Sequence, residues 1–293
     1  MISAVINTLN EENYLPLALG SIRPWVDEIV VVDMHSDDST VDVAREFGAK
    51  VFFHERMGFA DPARAFALEH AQGDWILILD ADEIVTPSLS EALLRIAQRG
   101  EADVVKIPRL NYLLGAPLKH TGWGPDQDAH FRFFRKGSLQ TTATVHNYLH
   151  PVPNARIRTL KYKPGLALVH FNYLDSEDFI ERLNRYTTID AGQAFARGER
   201  SSPAHAIARA AGEFVKRYVL CSGWRDGWRG LYLSLFMAFY RIAKAAKLQE
   251  RPELGDRQKT SAAYRKIAES LFQAYGEVHR ASPFETMHDK LMK

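Results

Sequence analysis

Between Trp75 and Glu83 the chain reads Trp-Ile-Leu-Ile-Leu-Asp-Ala-Asp-Glu, a short run of large apolar residues that ends abruptly in three carboxylates over four positions. Such a run is expected to be a strand buried on both faces. In an open α/β sheet, ligands bind at the carboxyl ends of the strands. Carboxylates crowded there repel one another unless a cation sits between them, and hard oxygen ligands suit Mg²⁺ or Mn²⁺. Asp80 and Asp82, two apart on an extended chain, point to the same side, so one ion or ion-bound diphosphate can engage both. The same pattern also fits a strand that ends in a solvated acidic turn, because Asp is common in turns.

The first hundred residues alternate strand and helix patterns. Ser3–Thr8, Glu28–Asp33, Lys50–His54, the run into Asp80, and Val104–Pro108 read as strands. Helices are expected with Leu15, Leu19 and Ile22 inward and Pro16 in the first turn, over Thr40–Phe47 with Ser39 as cap and Gly48 as stop, over Pro62–Ala71, and over Leu89–Gln98. Repeated βα units of this length imply a mostly parallel, Rossmann-like α/β sheet with helices on both faces. Three strand ends then carry polar groups: Thr8 and Asn10, Asp33, and Asp80 with Asp82. That convergence points to a nucleotide or sugar site. From Asn111 to Pro153 periodicity fails, and Gly, Pro, Trp and His abound, as in binding loops. Lys161–Leu174 regains strand character. Helical patterns fill Ser176–Arg197, Ala204–Leu220, Gly227–Leu248 and Gln258–Ala274, a helical C-terminal extension.

Charge over the 293 residues is close to balanced at +1, so the whole chain gives no reason to expect a nucleic-acid partner. The distribution is uneven. His205–Leu248 carries eight Lys/Arg against two acids. Within it Leu231–Tyr240 is apolar all round except for Ser234, with Arg241, Lys244 and Lys247 following at helical spacing. Ten helical residues span only about 15 Å, too short to cross a bilayer. Two readings stand: a buried core helix with a solvated basic end, or a helix lying in an anionic membrane interface. The lone Cys221 excludes an internal disulfide, fits a reducing compartment and reads as a small core residue. The N-terminus lacks the basic start and long apolar stretch of a signal peptide. A cytoplasmic protein is expected, soluble or peripheral at the inner face of the membrane.

Thr8-Leu9-Asn10-Glu11-Glu12, Val30-Val31-Val32-Asp33, Asp37-Asp38-Ser39-Thr40, Ala63-Arg64 and Leu79-Asp80-Ala81-Asp82-Glu83, taken in that order, resemble family 2 glycosyltransferases of GT-A fold over about the first 110 residues. Asn111-Tyr112-Leu113-Leu114-Gly115, His120-Thr121-Gly122-Trp123, Arg132-Phe133-Phe134-Arg135, Val145-His146 and Asp226-Gly227-Trp228-Arg229-Gly230-Leu231 are similar to the lipopolysaccharide-core β-glucosyltransferases. The resemblance implies a nucleotide-sugar donor, a UDP-sugar, and a lipid-linked glycan acceptor. It divides the chain into a donor half (1–110), an acceptor half (111–174) and a helical region (175–293). Thr8, Asn10, Glu11 and Asp33 would lie near base and ribose. Asp80, with Ala81 beside it, would face ribose and metal-bound diphosphate. Asp82 would be a direct ligand of Mg²⁺ or Mn²⁺, and Arg64 would balance charge nearby. A downstream His often joins the metal in such enzymes, and His170 is the candidate. Trp123, Arg132 and His146 would meet the acceptor.

Single displacement with inversion needs a general base. Relatives carry Trp-x-Pro-Asp with Arg-Leu-Phe-Arg after three further residues. Here Trp123-Gly124-Pro125-Asp126 is intact, but the Arg132 run keeps that spacing from Asp128. Asp126 and Asp128 are rivals, with Asp128 favoured. Asn147 stands where relatives often have Glu after His, and it cannot act as a base. A nucleotidyltransferase also uses an α/β sheet and Asp–metal sites, yet normally shows an early Gly-rich loop, and Ile6–Asn13 contains no glycine. A non-catalytic nucleotide-sugar-binding or scaffold protein is the third possibility.

Overall fold

The computed structural model describes residues 1–56, 61–141, 149–254 and 257–278. The expected strand and helix alternation is present: β1 (Ile2–Thr8), α1 (Leu15–Ile22), β2 (Glu28–Asp33), α2 (Thr40–Glu46), β3 (Lys50–Phe53), α3 (Asp61–His70), β4 (Trp75–Asp80), β5 (Glu83–Val85) and α4 (Pro87–Arg99). β3, β2, β1 and β4 lie side by side in that order, all parallel, with Asn7 opposite Asp80 and Thr8 opposite Asp33. Their carboxyl ends therefore share one edge. Val30–Val32 and Ile76–Leu79 are buried because both faces are covered. α1, α2 and α4 pack on one face, and α3 on the other.

Local chemistry sets the boundaries. Pro87 opens α4 while the Thr86 hydroxyl accepts from the Leu89 N–H, and Gly100 closes it at a φ of 59°. Ser39 stands at the start of α2 but makes no side-chain cap; Asp38 accepts from the Thr40 N–H and hydroxyl instead.

The segment that loses periodicity in sequence is not all loop. β6 (Val104–Leu113) continues beyond the expected Pro108 and carries β7 (Ala116–Pro117), while β8 (Ala129–Arg135) inserts antiparallel between β4 and β6. β9 (Leu139–Thr141) and β10 (Leu149–Pro151) form a separate ribbon, β11 (Ile157–Thr159) pairs with β6, and β12 (Leu168–Tyr173) runs parallel to β6 and antiparallel to β5. Strands crossing from one neighbour to the next give a mixed sheet that remains parallel on its N-terminal side.

The C-terminal region consists of α5 (Ser176–Ala196), α6 (Pro203–Phe214) running into a π-helical turn (Val215–Leu220), then α7 (Gly227–Leu254) and α8 (Arg257–Val278). Asp226 ties this region to the sheet by accepting from Lys119 N–H, His120 N–H and the Thr121 hydroxyl at 2.7–3.1 Å. Gly230 is required there, because a Cβ would lie 1.9 Å from the Gly223 carbonyl oxygen. Among the described residues, no helix is long and apolar enough to cross a membrane. α7 has two faces. Leu233, Phe236, Met237 and Tyr240 pack with α5, while Trp228, Tyr232, Leu235, Phe239 and Ile242 form one exposed stripe. The cations of the expected basic end are paired within the helical region. Arg241 reaches Glu213 at 2.8 Å, Lys244 reaches Asp190 at 3.6 Å, and Lys247 donates to Asn184, Thr187 and Thr188. Helix packing turns those cations towards α5 and α6.

Candidate active site

The shared strand edge is assembled from three carboxylate-bearing turns. Asp33, fully buried at the end of β2, accepts from the Thr8 hydroxyl at 3.0 Å and from Ser36 through N–H and Oγ at 2.8 and 2.6 Å. Asn10 has a left-handed backbone (φ 58°), and its Oδ1 accepts from the Asp37 N–H at 2.8 Å. Glu11 anchors its backbone N–H on Thr40 Oγ1 at 2.7 Å. Burial, and then the neighbouring charge of Asp82, push the Glu11 carboxyl up to about 7, against the opposing charge of Arg182. Burial and the neighbouring acid thus act on this carboxyl in the same direction.

Asp80 and Asp82 diverge. Asp80 is clasped by Arg64 from α3 and by Arg132 from β8, at 2.5 Å each. Arg132 also meets Glu83 at 3.0 Å, Glu83 meets Arg109 at 3.2 Å, and Arg109 meets Asp128 at 2.9 Å. Three acids thus alternate with three arginines along one ladder. Burial opposes ionisation of Asp80, but Arg132 and Arg64 outweigh it and hold the carboxyl well below the usual range. Arg132 was expected to face the acceptor; it is instead buried beneath Asp80. The register between β6 and β8 shifts at this point, with Val105 opposite Phe133 and Lys106 opposite Phe131. The intervening Arg132 is left out of the pairing and re-aimed, as at a β-bulge.

Asp82 lies outside the ladder. Its Oδ2 is 3.3 Å from His170 Nε2 on β12, while His170 Nδ1 lies 2.6 Å from Asn111 Oδ1. The Asn111 amide nitrogen is oriented by two acceptors, the Trp123 carbonyl at 2.9 Å and Asp128 Oδ2 at 2.6 Å. Asn111 Oδ1 must therefore accept from His170 Nδ1–H, which leaves Nε2 of the neutral ring as a lone pair facing a carboxylate oxygen. Two acceptors opposed in this way need a proton or a cation between them. An imidazole fixed through its other nitrogen, beside a carboxylate, fits a divalent metal. Among the described residues no set of three or more His, Cys, Asp or Glu is gathered for an ion. The protein's share would be Asp82 and His170, leaving the remaining positions to phosphate oxygens and water, as suits Mg²⁺.

The other expected residues fall around this centre. Ala81 is buried in the core beneath the strand end. Asp126 is exposed and accepts from the Tyr162 N–H at 2.9 Å. Asp128 is largely enclosed by Arg109, Asn111 and His130. Trp123 stacks on Tyr173, with centroids 6.1 Å apart and planes at 11°, and Arg217 lies over its ring. His146 and the neighbouring Val145 and Asn147 lie outside the described residues.

Sequence reasoning did not assign roles to Glu83, Arg109, Asn111, His130 or Arg182. Arg182 of α5 is held by Asp178 at 2.7 Å over the Tyr173 ring, and its charge acts on Glu11 and Asp82. Alternation along β6 could have exposed Arg109 and Asn111, two apart on one face.

Comparison with known proteins places this geometry in a family. A protein of Rickettsia felis described as an uncharacterized glycosyltransferase is 27% identical over 257 residues, covering 85% of this chain and 89% of its own. The lipopolysaccharide core biosynthesis glycosyltransferase LpsC of Rhizobium meliloti is 28% identical over 267 residues, covering 86% and 93%. Among solved structures, S. aureus TarS is 20% identical with a TM-score of 0.42, covering 64% of this chain and 39% of that one. Glucosyl-3-phosphoglycerate synthase from Mycobacterium tuberculosis, in complex with Mn²⁺, UDP-glucose and phosphoglyceric acid, is 30% identical with a TM-score of 0.33, covering 38% and 44%. This chain thus spans less than half of either solved chain. The family model described as glycosyl transferase family 2 matches residues 3–152, more than half of the chain. With its mixed, mostly parallel sheet of GT-A type and its helical C-terminal region, the protein belongs to glycosyltransferase family 2 and is a glycosyltransferase.

Proposed function

We propose that this enzyme transfers a hexose from a nucleotide sugar, a UDP-sugar, to a lipid-linked glycan of the lipopolysaccharide-core kind, by single displacement with inversion and with Mg²⁺ or Mn²⁺ on the donor diphosphate. The facing pair of Asp82 and His170 carries the metal and donor part of the reading. The likeness to LpsC over nearly the full length of both chains supports the acceptor class. Thr8, Asn10, Glu11 and Asp33 take the nucleoside end, with Ala81 and Asp80 behind the diphosphate. Residues 1–110 serve the donor, 111–174 the acceptor, and 175–293 the placement of the enzyme. Arg132 acts from beneath Asp80, and Trp123 borders the acceptor side.

In the reaction the acceptor oxygen attacks the anomeric carbon, the bond to the diphosphate breaks, and its electron pair leaves on the nucleoside diphosphate. The bound cation would supply positive charge to that leaving group. Arg182 adds a fixed cation on the same side as Glu11 and Asp82. The acceptor's proton leaves towards Asp128, whose position between Arg109 and Asn111 links the two sides of the site; Asp126 is the alternative. Positioned proton acceptance contributes about 10²–10⁴ in rate.

A lipid-linked acceptor also gives a use to the exposed stripe on α7. Trp228, Tyr232, Leu235, Phe239 and Ile242 combine interfacial aromatics with aliphatics, and Lys216 and Arg225 are exposed nearby in sequence. That arrangement suits peripheral contact with an anionic inner leaflet from the cytoplasmic side. Leu235→Glu with Phe239→Glu should abolish sedimentation with anionic vesicles; binding equal to wild type would remove the membrane assignment.

A panel of radiolabelled nucleotide sugars, offered with and without truncated lipopolysaccharide, tests the whole reading. Label transferred to the lipid fraction, or slow release of free sugar that stops with EDTA, is the expected result. Turnover undiminished by EDTA would overturn the metal assignment, and no turnover of any nucleotide sugar would overturn the donor class.

A further inference from the structure

Thr121, between β7 and β8, is fully buried with a left-handed backbone (φ 65°) that a β-branched residue rarely adopts. Each of its polar groups is held from the C-terminal region. The N–H donates to the Cys221 carbonyl at 3.1 Å, the carbonyl accepts from Arg217 Nη1 at 3.0 Å, and Oγ1 donates to Asp226 at 2.7 Å. Two residues on, the Trp123 carbonyl accepts from Asn111, whose side chain also meets Asp128 and His170. Arg229 adds a second hold, donating twice to the Leu114 carbonyl at 2.9 and 3.1 Å. One short segment of the helical region therefore fixes the loop that leads into the acceptor side of the site. The same segment also has a bare side. Val219, Leu220 and Trp224 are 54%, 75% and 60% exposed, and Lys216 and Arg225 are exposed among them. Between Glu213 and Asp226 the chain carries no acid, and those two are engaged with Arg217, Arg241 and the 119–121 loop. Trp224 and Trp228 carry this surface into the exposed stripe of α7. Aromatics beside cations that no acid balances fit the headgroup region of an anionic bilayer.

We propose that residues 215–229 are a two-sided clamp, in which an anionic bilayer on the outer side secures the acceptor loop on the inner side, with Asp226 as the positioning residue between them. This rests on the membrane-contact part of the reading above. Lipid distinguishes the closed clamp from a loosened one because polar groups entering the interface must already be paired. In the closed clamp the turn bonds itself, Cys221 N–H to the Lys216 carbonyl at 2.8 Å and Ser222 N–H to the Val219 carbonyl at 3.0 Å. The Cys221 carbonyl and the Asp226 carboxylate are paired by the acceptor loop. Loosening the loop strips both of those partners next to Leu220 and Trp224, where lipid would meet them. In water the strained Thr121 backbone is held against no such penalty. Membrane contact and loop closure are thus linked, and each favours the other by the same factor. The consequence is that acceptor recognition is completed at the surface where a lipid-linked acceptor resides.

Hydrogen–deuterium exchange of the full chain reads the clamp directly, because Asp226 and Cys221 hold the N–H groups of Lys119, His120 and Thr121. Vesicles of phosphatidylglycerol and phosphatidylcholine should slow exchange in that loop by at least about fivefold. Phosphatidylcholine vesicles alone should not, and β1 to β4 should exchange as before. Leu220→Ser with Trp224→Ser should remove the protection. Asp226→Ala takes away a negative charge, yet it should weaken sedimentation with the anionic vesicles by a factor comparable to the wild-type protection. It should also raise the KM for truncated lipopolysaccharide while leaving the donor KM unchanged. Thr121→Val keeps the shape and loses only the hydroxyl, so it should act in the same direction more weakly, and it stands in if Asp226→Ala does not fold. A wild type that sediments with anionic vesicles but gains no protection at 119–121 would overturn the clamp. So would folded Asp226→Ala or Thr121→Val protein that sediments like the wild type, and equal protection by neutral vesicles would overturn the anionic surface. A wild type that does not sediment would overturn the underlying membrane reading, and this proposal with it.

Discussion

Asp80 and Asp82 sit two residues apart on one strand end, yet the molecule treats them in opposite ways. Asp80 opens a ladder in which Arg64, Arg132 and Arg109 alternate with Asp80, Glu83 and Asp128, so the charge there is balanced by the protein itself. Asp82 faces His170 across 3.3 Å, next to Glu11, a carboxyl pushed up to about 7 chiefly by burial and by Asp82. The first end is a finished scaffold. The second is left electrically open, and an open acidic pocket is what a cation-bearing ligand can close. Equal spacing in a motif therefore does not imply equal work: the neighbours brought by other strands decide which acid builds the site and which binds.

The largest effect should come from breaking the closed end. Arg132→Met leaves Asp80 and Glu83 without a shared buried cation and should destabilise the fold by about 3–5 kcal/mol, read from urea denaturation. A loss below about 1 kcal/mol would mean that the ladder behaves like a surface ion pair. The open end should give the reverse profile. Asp82→Asn is expected to cut glycosyl transfer by about 10²–10³-fold with the denaturation midpoint unmoved, and EDTA should bring the wild type to a similar rate. If Asp82→Asn instead unfolds the protein while sparing activity, the comparison is inverted. Asn111→Leu removes the bridge between the two ends, and a loss of about 10–100-fold should appear together with a higher Mn²⁺ requirement. An unchanged metal requirement would disconnect Asn111 from His170 function.

The smallest effect belongs to a pair with the same chemistry at the surface. Asp103 accepts from Arg156 at 2.9 and 3.0 Å, and that hydrogen-bonded partner lowers its pKa to about 2. A folded-state pKa depressed below the unfolded value of about 3.9 adds stability above that value. The contribution fades as pH falls through about 2. Thermal midpoints of wild type and Asp103→Asn should differ slightly at pH 6 and converge towards pH 2. A difference as large as that for Arg132→Met would show that pairing, and not burial, gives the ladder its strength.

Much of the donor half was legible because its signals are local. Glu28–Asp33 and Trp75–Asp80 are continuous apolar runs with a carboxylate at the end, and both strands occur with those boundaries. Thr8, Asp33, Asp80 and Asp82 gather at one edge because parallel strands of a right-handed βα series bring their ends together. β8 was not legible. Ala129–Arg135 mixes His and Arg with Phe, and its period is broken by the shift at Arg132, so no alternation marks it as a strand. The basic run of α7 misled in another way. Helical spacing gives the face of a residue but not its partner, and Glu213 and Asp190 lie on other helices.

The sequence by itself determined the order of βα units, the edge where ligands bind and the acids that stand there, since hydrophobic period and strand ends are properties of neighbouring residues. Only the tertiary structure decided that Asp80 is closed by arginines while Asp82 is open to His170, that Arg132 lies beneath the site, and that Asn111 joins Asp128 to His170. Those pairings join β4, β6, β8, β12 and α3 across long separations. Electrostatic roles depend on distance in space, which the spacing of residues along the chain does not contain.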